Sequence, residues 1–175
     1  EAQAYIPGVI DLYDIYAPTC HNNSVTDDVG YNPCMEYWNI PYMNREDVLK
    51  SIHADKYYSR QWPDKPSNWV YGSQLTDVTP LYLNFINQGW RVLVYDADAD
   101  TAEPFIQELQ WINCLNRTVT KDWFNWYFNK DVAGSIKVYN GIYFQTIKHC
   151  GHLLPAYCPI KAYQVFYDFI YKTYD

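Results

Sequence analysis

The sequence predicts an α/β layered fold, and three observations carry that expectation. The β-branched run "WRVLVY" reads as a buried strand, and it leads straight into the acid-rich "DADADTAEP". "KVYNGIYFQTIK" sets Asn140-Gly141 between two strand-like arms, a strong signal for a tight hairpin turn. Apolar residues at helical spacing recur on either side of these strands, so helices can cover a sheet.

Taken in order, residues 1–43 read as extended or loop structure, with turn residues at "APTCHNNS" and "GYNPC". "MNREDVLKSIHA" offers Asn44 as N-cap and Asp47 three residues later, ahead of a short helix. Residues 56–77 are irregular and rich in Trp, Pro and Ser. Thr79 then suits a cap and Pro80 a first helical turn, with Leu81, Phe85 and Ile86 on one face and Gly89 as the stop. After the strand at Arg91–Tyr95, Phe105, Leu109 and Ile112 fall at helical spacing. Pro159 opens a last helix expected to bury Ala162, Val165, Phe166, Phe169 and Ile170. The second half thus runs helix, strand, acid loop, helix, hairpin, His loop, helix, which is the closing half of a layered sheet.

Composition narrows the functions. The 175 residues are 49% apolar and include 19 Tyr and 7 Trp, enough for one modest folded domain. A net charge of −7 argues against nucleic acid or an anionic membrane as the main partner. No run reaches the ~18 apolar residues of a membrane span. "EAQAYIPGVID" has neither an initiator Met nor a basic-then-apolar leader, as expected of a chain trimmed or processed before Glu1. Sequons at Asn22 and Asn116 fit the secretory pathway. Five cysteines leave at least one free or bonded outside the chain.

Asp96, Asp98 and Asp100 crowd the end of one strand, and His152 follows another. In open α/β sheets, working residues gather where strands end at their carboxyl side. An acid loop followed by a His loop reproduces the last two members of the Ser…Asp…His order of α/β-hydrolases. There the carboxylate fixes the imidazole tautomer and stabilises the imidazolium. From spacing alone, solvated aspartates and a capping histidine account for the pattern more readily. A zinc site from His149, Cys150, His152 and Cys158 lacks the usual paired-ligand spacing, so no metal and no cofactor are expected. Ser24, Ser51, Ser59, Ser67, Ser73 and Ser135 all lie outside G-x-S-x-G. The base has an acid but no nucleophile.

A resemblance accounts for the gap. "YNPCMEYWNIPYMNREDVLKSIHA" resembles the serine carboxypeptidase pattern of D-P-C, a Leu-Asn-Arg-x-x-V helix and Leu-His-Ala. "VLVYDADADTAEP" is similar to that family's strand, G-D-x-D loop and following Pro, and "KVYNGIYFQTIKHCGHLLP" to its hairpin and Ala-Gly-His-x-x-Pro loop. "LYDIYAPTC" is similar to the segment near the end of its internal processing region. The matches come in family order over nearly the whole chain. The family is the secreted or lysosomal/vacuolar group that includes cathepsin A and carboxypeptidase Y.

The resemblance implies that residues 1–175 are the C-terminal, small-chain portion of an α/β-hydrolase fold, a central mostly parallel sheet flanked by helices. A separate, disulfide-linked large chain would complete it and bring the nucleophilic Ser, the oxyanion hole and the groups that recognise a peptide's C-terminal carboxylate. A homodimer of such two-chain units stays open. Asp100 and His152 take the catalytic positions, and Asp98 a supporting one. Leu153 matches a position lining the pocket for an apolar departing residue. Cys20 and Cys34 match cysteines bonded to the large chain, leaving Cys114, Cys150 and Cys158 unassigned. His53 takes a structural place, and His149 a peripheral one. Ala97 stands where the family has Gly, which strains the loop if that position needs positive φ. Cys150 stands where the family has Ala, as a small hydrophobe, a partner for Cys114 or Cys158, or a reactive thiol. The structural roles are favoured over the reactive thiol. The activity implied is release of C-terminal residues from peptides. Acyltransferase or lyase relatives, and a non-catalytic binding glycoprotein, are the alternatives.

Overall fold

The computed structural model describes residues 10–17, 35–55, 72, 77–171 and 174. Cys20, Cys34, Asn22 and nearly all of the segment expected to be irregular at 56–77 lie outside the described residues. Two compact units divide the chain: 1–9, 18–27 and 32–74 in one, and 10–17, 28–31 and 75–175 in the other.

The first unit holds helices α1 (Met35–Met43) and α2 (Glu46–Ser51). α1 corrects the loop expected through residue 43. It is obscured in the sequence by Pro41, which lies inside the helix, and by the turn residues before it. Asn44 is not the cap of α2. Its Nδ2 donates to Ile40 O at 2.8 Å, closing α1, while Arg45 takes the extended N-cap position. His53 follows α2, exposed and with a φ of 59°.

In the second unit, α3 (Thr79–Asn87) starts at an Asp77 carboxylate that accepts the Thr79 N–H at 2.8 Å, so Asp77 does the work expected of Thr79. Ile86 is buried, whereas Leu81 is exposed rather than on the packed face. The chain stops at Gly89, which adopts a φ of 81°. Strand β1 (Val92–Ala97) follows, and Ala97 continues it without positive φ, so the substitution for Gly strains nothing there. Pro104 caps α4 (Phe105–Cys114), which turns Leu109 and Ile112 inward as expected. Asn116 is exposed just beyond it.

Strand β2 (Val119–Phe128) is absent from the sequence expectation. Most of its side chains are exposed and its pairing with β3 is interrupted by register shifts, so the alternation that marks a half-buried strand is lost. Asn129 and Lys130, both at positive φ, turn the chain into β3 (Asp131–Tyr139). Asn140-Gly141 then makes the expected turn into β4 (Ile142–Ile147). Gly141 lies so close to Ile86 that a Cβ there would collide with it.

The four strands form one sheet in the order β1-β4-β3-β2, with β1 parallel to β4 and the other pairings antiparallel. Alternation along the strands feeds two cores. Ile142 and Phe144 face Ile86 and Ile112 on the side of α3 and α4. Ile136, Val138 and Ile147 face Leu154 and Val165 on the other, where α5 (Leu154–Tyr157) and α6 (Pro159–Tyr171) lie. Each fully buried Ile or Phe contributes about 1.5–3 kcal/mol. Helices on both faces of a sheet make the fold α/β, as the sequence predicts.

α6 begins at Pro159 and packs through Ala162, Val165 and Phe169. Phe166 and Ile170 are 63% and 43% exposed, contrary to expectation. Each stands one residue, about 100° of helix, beyond the packed line.

Candidate active site

The parallel pairing of β1 with β4 brings the acid loop and the His loop to one edge. Ala97 and Ile147 are register partners at the last step of the ladder. Beyond it the loops stay joined: Asp98 N donates to Ile147 O at 3.0 Å, and Ala99 N to Cys150 O at 3.1 Å. The Asp98 side chain adds a bond, accepting the His149 N–H at 2.6 Å. Asp98 therefore ties the two loops together and stays exposed, without touching His152.

Asp100 and His152 meet. His152 Nδ1 lies 2.6 Å from Asp100 Oδ2, and the second Asp100 oxygen accepts the N–H groups of Ala102 and Glu103 at 2.8 and 3.2 Å. The Asp100 side chain is 1% exposed and the imidazole 33%. Both carboxylate oxygens are thus engaged. With Nδ1 held by the acid, Nε2 is the nitrogen left to exchange a proton with a reacting group. This is the arrangement that general-base chemistry requires.

The segment Ile10–Ala17 straps both loops, a role its loop-like sequence gives no sign of. Leu12 O accepts from Thr101 N at 2.9 Å and from Thr101 Oγ1 at 2.8 Å, and Ile15 N donates to Ala99 O. On the His side, Tyr13 O accepts His152 N at 2.8 Å, and the Tyr13 ring sits 5.2 Å from the imidazole. The strap passes so close that a Cβ on Gly151 would strike Tyr13 O and the Asp14 side chain, so only glycine fits before His152. Asp14 is itself buried. Burial pushes its carboxyl above the ordinary value, against the pull of the Tyr16 N–H.

Cys150 pairs with Cys158, which settles one of the open choices for Cys150 and removes both thiolates from any zinc site. Cys114 is free and exposed. Leu153 is 53% exposed beside His152, open to whatever approaches the imidazole. Of the serines that the structure describes, Ser135 Oγ donates to Asn125 within the sheet and Ser51 Oγ to Val48 O within α2.

A second acid pair lies under the site. Asp96, on β1, and Glu108, on α4, each bury one carboxylate oxygen that has no partner besides the facing carboxyl, with which it shares a proton. Burial first, then the Glu108 carboxyl, raise the Asp96 pKa to about 7, with the Ala97 N–H opposing. Folded Asp96 therefore keeps a proton that the unfolded chain releases near 3.8, so the contribution of this group to stability is fully present below that pH and is lost as the pH rises to about 7. Asp96→Asn is expected to remove this decline. Melting curves of the two proteins from pH 4 to 8 check it, and the variant should gain on the wild type as the pH rises.

Among the described residues, no helix is long and apolar enough to cross a membrane. A family profile described as serine carboxypeptidase matches residues 2–172. The chain is 30% identical over 177 residues to serine carboxypeptidase-like 37 of Arabidopsis thaliana, covering 94% of this chain and 36% of that protein. It is 29% identical over 186 residues to serine carboxypeptidase II-1 of Hordeum vulgare, covering 93% and 55%. The similarity to serine carboxypeptidase-like 33 of Arabidopsis thaliana is 31%, covering 92% and 39%. The chain thus spans between about a third and just over half the length of these relatives.

Proposed function

Because the chain belongs to the serine carboxypeptidase family, an α/β-hydrolase family, we propose that it is the C-terminal part of a serine-type carboxypeptidase and supplies the acid and the base to a serine outside residues 1–175. The observation that carries this reading is the 2.6 Å contact between His152 Nδ1 and Asp100 Oδ2. His152 Nε2 takes the proton of the serine hydroxyl as its oxygen attacks the last peptide carbonyl, then passes it to the departing amine. In the second step it takes a proton from water as the water oxygen attacks the acyl carbonyl, and returns that proton to the serine oxygen as the ester bond breaks and the shortened peptide leaves. Leu153, exposed beside the base, contacts an apolar departing residue.

The large partner is inferred from what this chain leaves open. β1 pairs on one side only among the described residues, and Tyr95 on it is exposed. Beside that edge a groove of about 430 Å³ runs between Leu93, Leu154 and the Tyr163 and Phe166 side chains of α6. An apolar sheet edge is a surface that folded proteins cover. The large chain adds its strands there, carrying the serine and the oxyanion hole. Cys20 and Cys34 supply the interchain disulfides, with Asn22 and Asn116 glycosylated in a secreted, lysosomal or vacuolar protein.

Labelling of the native protein with an active-serine phosphonate tests the proposal. After reduction, label is expected on a partner chain that separates from an unlabelled chain of 20.7 kDa. A partner that separates without label would leave a hydrolase fold without its chemistry. Label with no peptide hydrolysis would shift the reading to acyl transfer.

A further inference from the structure

We propose that the Cys150–Cys158 disulfide is a positioning element for His152, an inference that rests on the proposed role of that residue as base. The bond joins residues eight apart, so His152 and Leu153 lie inside a covalent ring. One end of the ring is anchored in the sheet. Cys150 is fully buried among Ile147, Leu154 and Val165, and its carbonyl accepts the Ala99 N–H. The other end, Cys158, directly precedes α6, whose Lys161 reaches back with Nζ to Lys148 O at 2.6 Å. The disulfide and this lysine therefore tie the start of α6 to the end of β4.

Inside the ring, Leu154 is buried in the core and the Leu153 carbonyl accepts the Ala156 and Tyr157 N–H groups, so the less restrained part is the stretch from Gly151 to Leu153 that carries the base. Gly151 has no side chain, Leu153 is largely exposed, and α5 is four residues long, too short to hold its own shape. Among the described residues, the backbone of His152 makes one hydrogen bond, the strap bond to Tyr13 O. Closing the ring removes the freedom of this stretch to swing the imidazole away from Asp100. The tolerance is small, since a displacement near 1 Å costs catalysis about 10²-fold.

The test uses the whole native protein with the ring opened in two ways, Cys150→Ala/Cys158→Ala and Cys158→Ser alone, so that one variant failing to fold leaves the other. Ile112→Ala, in the opposite core, is the control for lost stability. Ring opening is expected to lower kcat by about 10²-fold, and to broaden or remove the downfield imidazole N–H resonance that His152→Ala identifies. The control should melt earlier yet keep its kcat and that resonance. A ring-opened variant that keeps both kcat and the resonance would overturn the proposal. The resonance needs no turnover, so a protein that hydrolyses no peptide fails the carboxypeptidase reading while the ring is still decided by its imidazole signal.

Discussion

His152→Ala is expected to lower kcat for release of a peptide's C-terminal residue by roughly 10⁴–10⁶-fold, with folding and assembly intact. Among the described residues, the imidazole is the only group that presents a basic nitrogen while its other nitrogen is held by a buried carboxylate. Without it, the serine hydroxyl must lose its proton to water during attack. The fold should tolerate the change, because the ring is one-third exposed and Asp100 keeps the Ala102 and Glu103 N–H groups. Burst and steady-state assays beside a melting curve measure it. Unchanged turnover would remove His152 from the mechanism.

Asp100→Asn is expected to cost about 10⁴-fold in kcat with little change in KM. The asparagine oxygen can still accept from Ala102 and Glu103. Its amide then points donor hydrogens at Nδ1, which forces the imidazole proton onto Nε2, where it blocks the serine. Among the described residues, Asp100 Oδ2 at 2.6 Å is the hydrogen-bond partner of Nδ1. A melting curve beside the kinetics separates this tautomer effect from a loss of structure. A variant with full activity would mean that Asp100 only braces the loop.

Much of this architecture was legible in advance. Gly89 and Pro159 mark helix boundaries through restrictions written into the residues themselves. The Leu109–Ile112 face and β1 follow from periodicity, and the order of acid loop and His loop follows from where the strands end. β2 escaped because an edge strand with mostly exposed side chains carries no alternation. Phe166, Ile170 and Leu81 were assigned inward because hydrophobicity says that a residue prefers burial, not that this chain offers a surface to bury it.

At the candidate site the division is sharper. Residue types and their spacing offered three aspartates after one strand and a histidine after another, and only the family resemblance singled out Asp100; that it meets His152 was decided by the pairing of β1 with β4. Which nitrogen meets the acid, which cysteine closes the ring, and how Tyr13 and Leu12 strap both loops were decided by the tertiary structure. Those contacts join segments far apart along the chain, and local propensities act only between near neighbours. A partner at long range exists only once β1 and β4 have paired and carried their loops to the same edge.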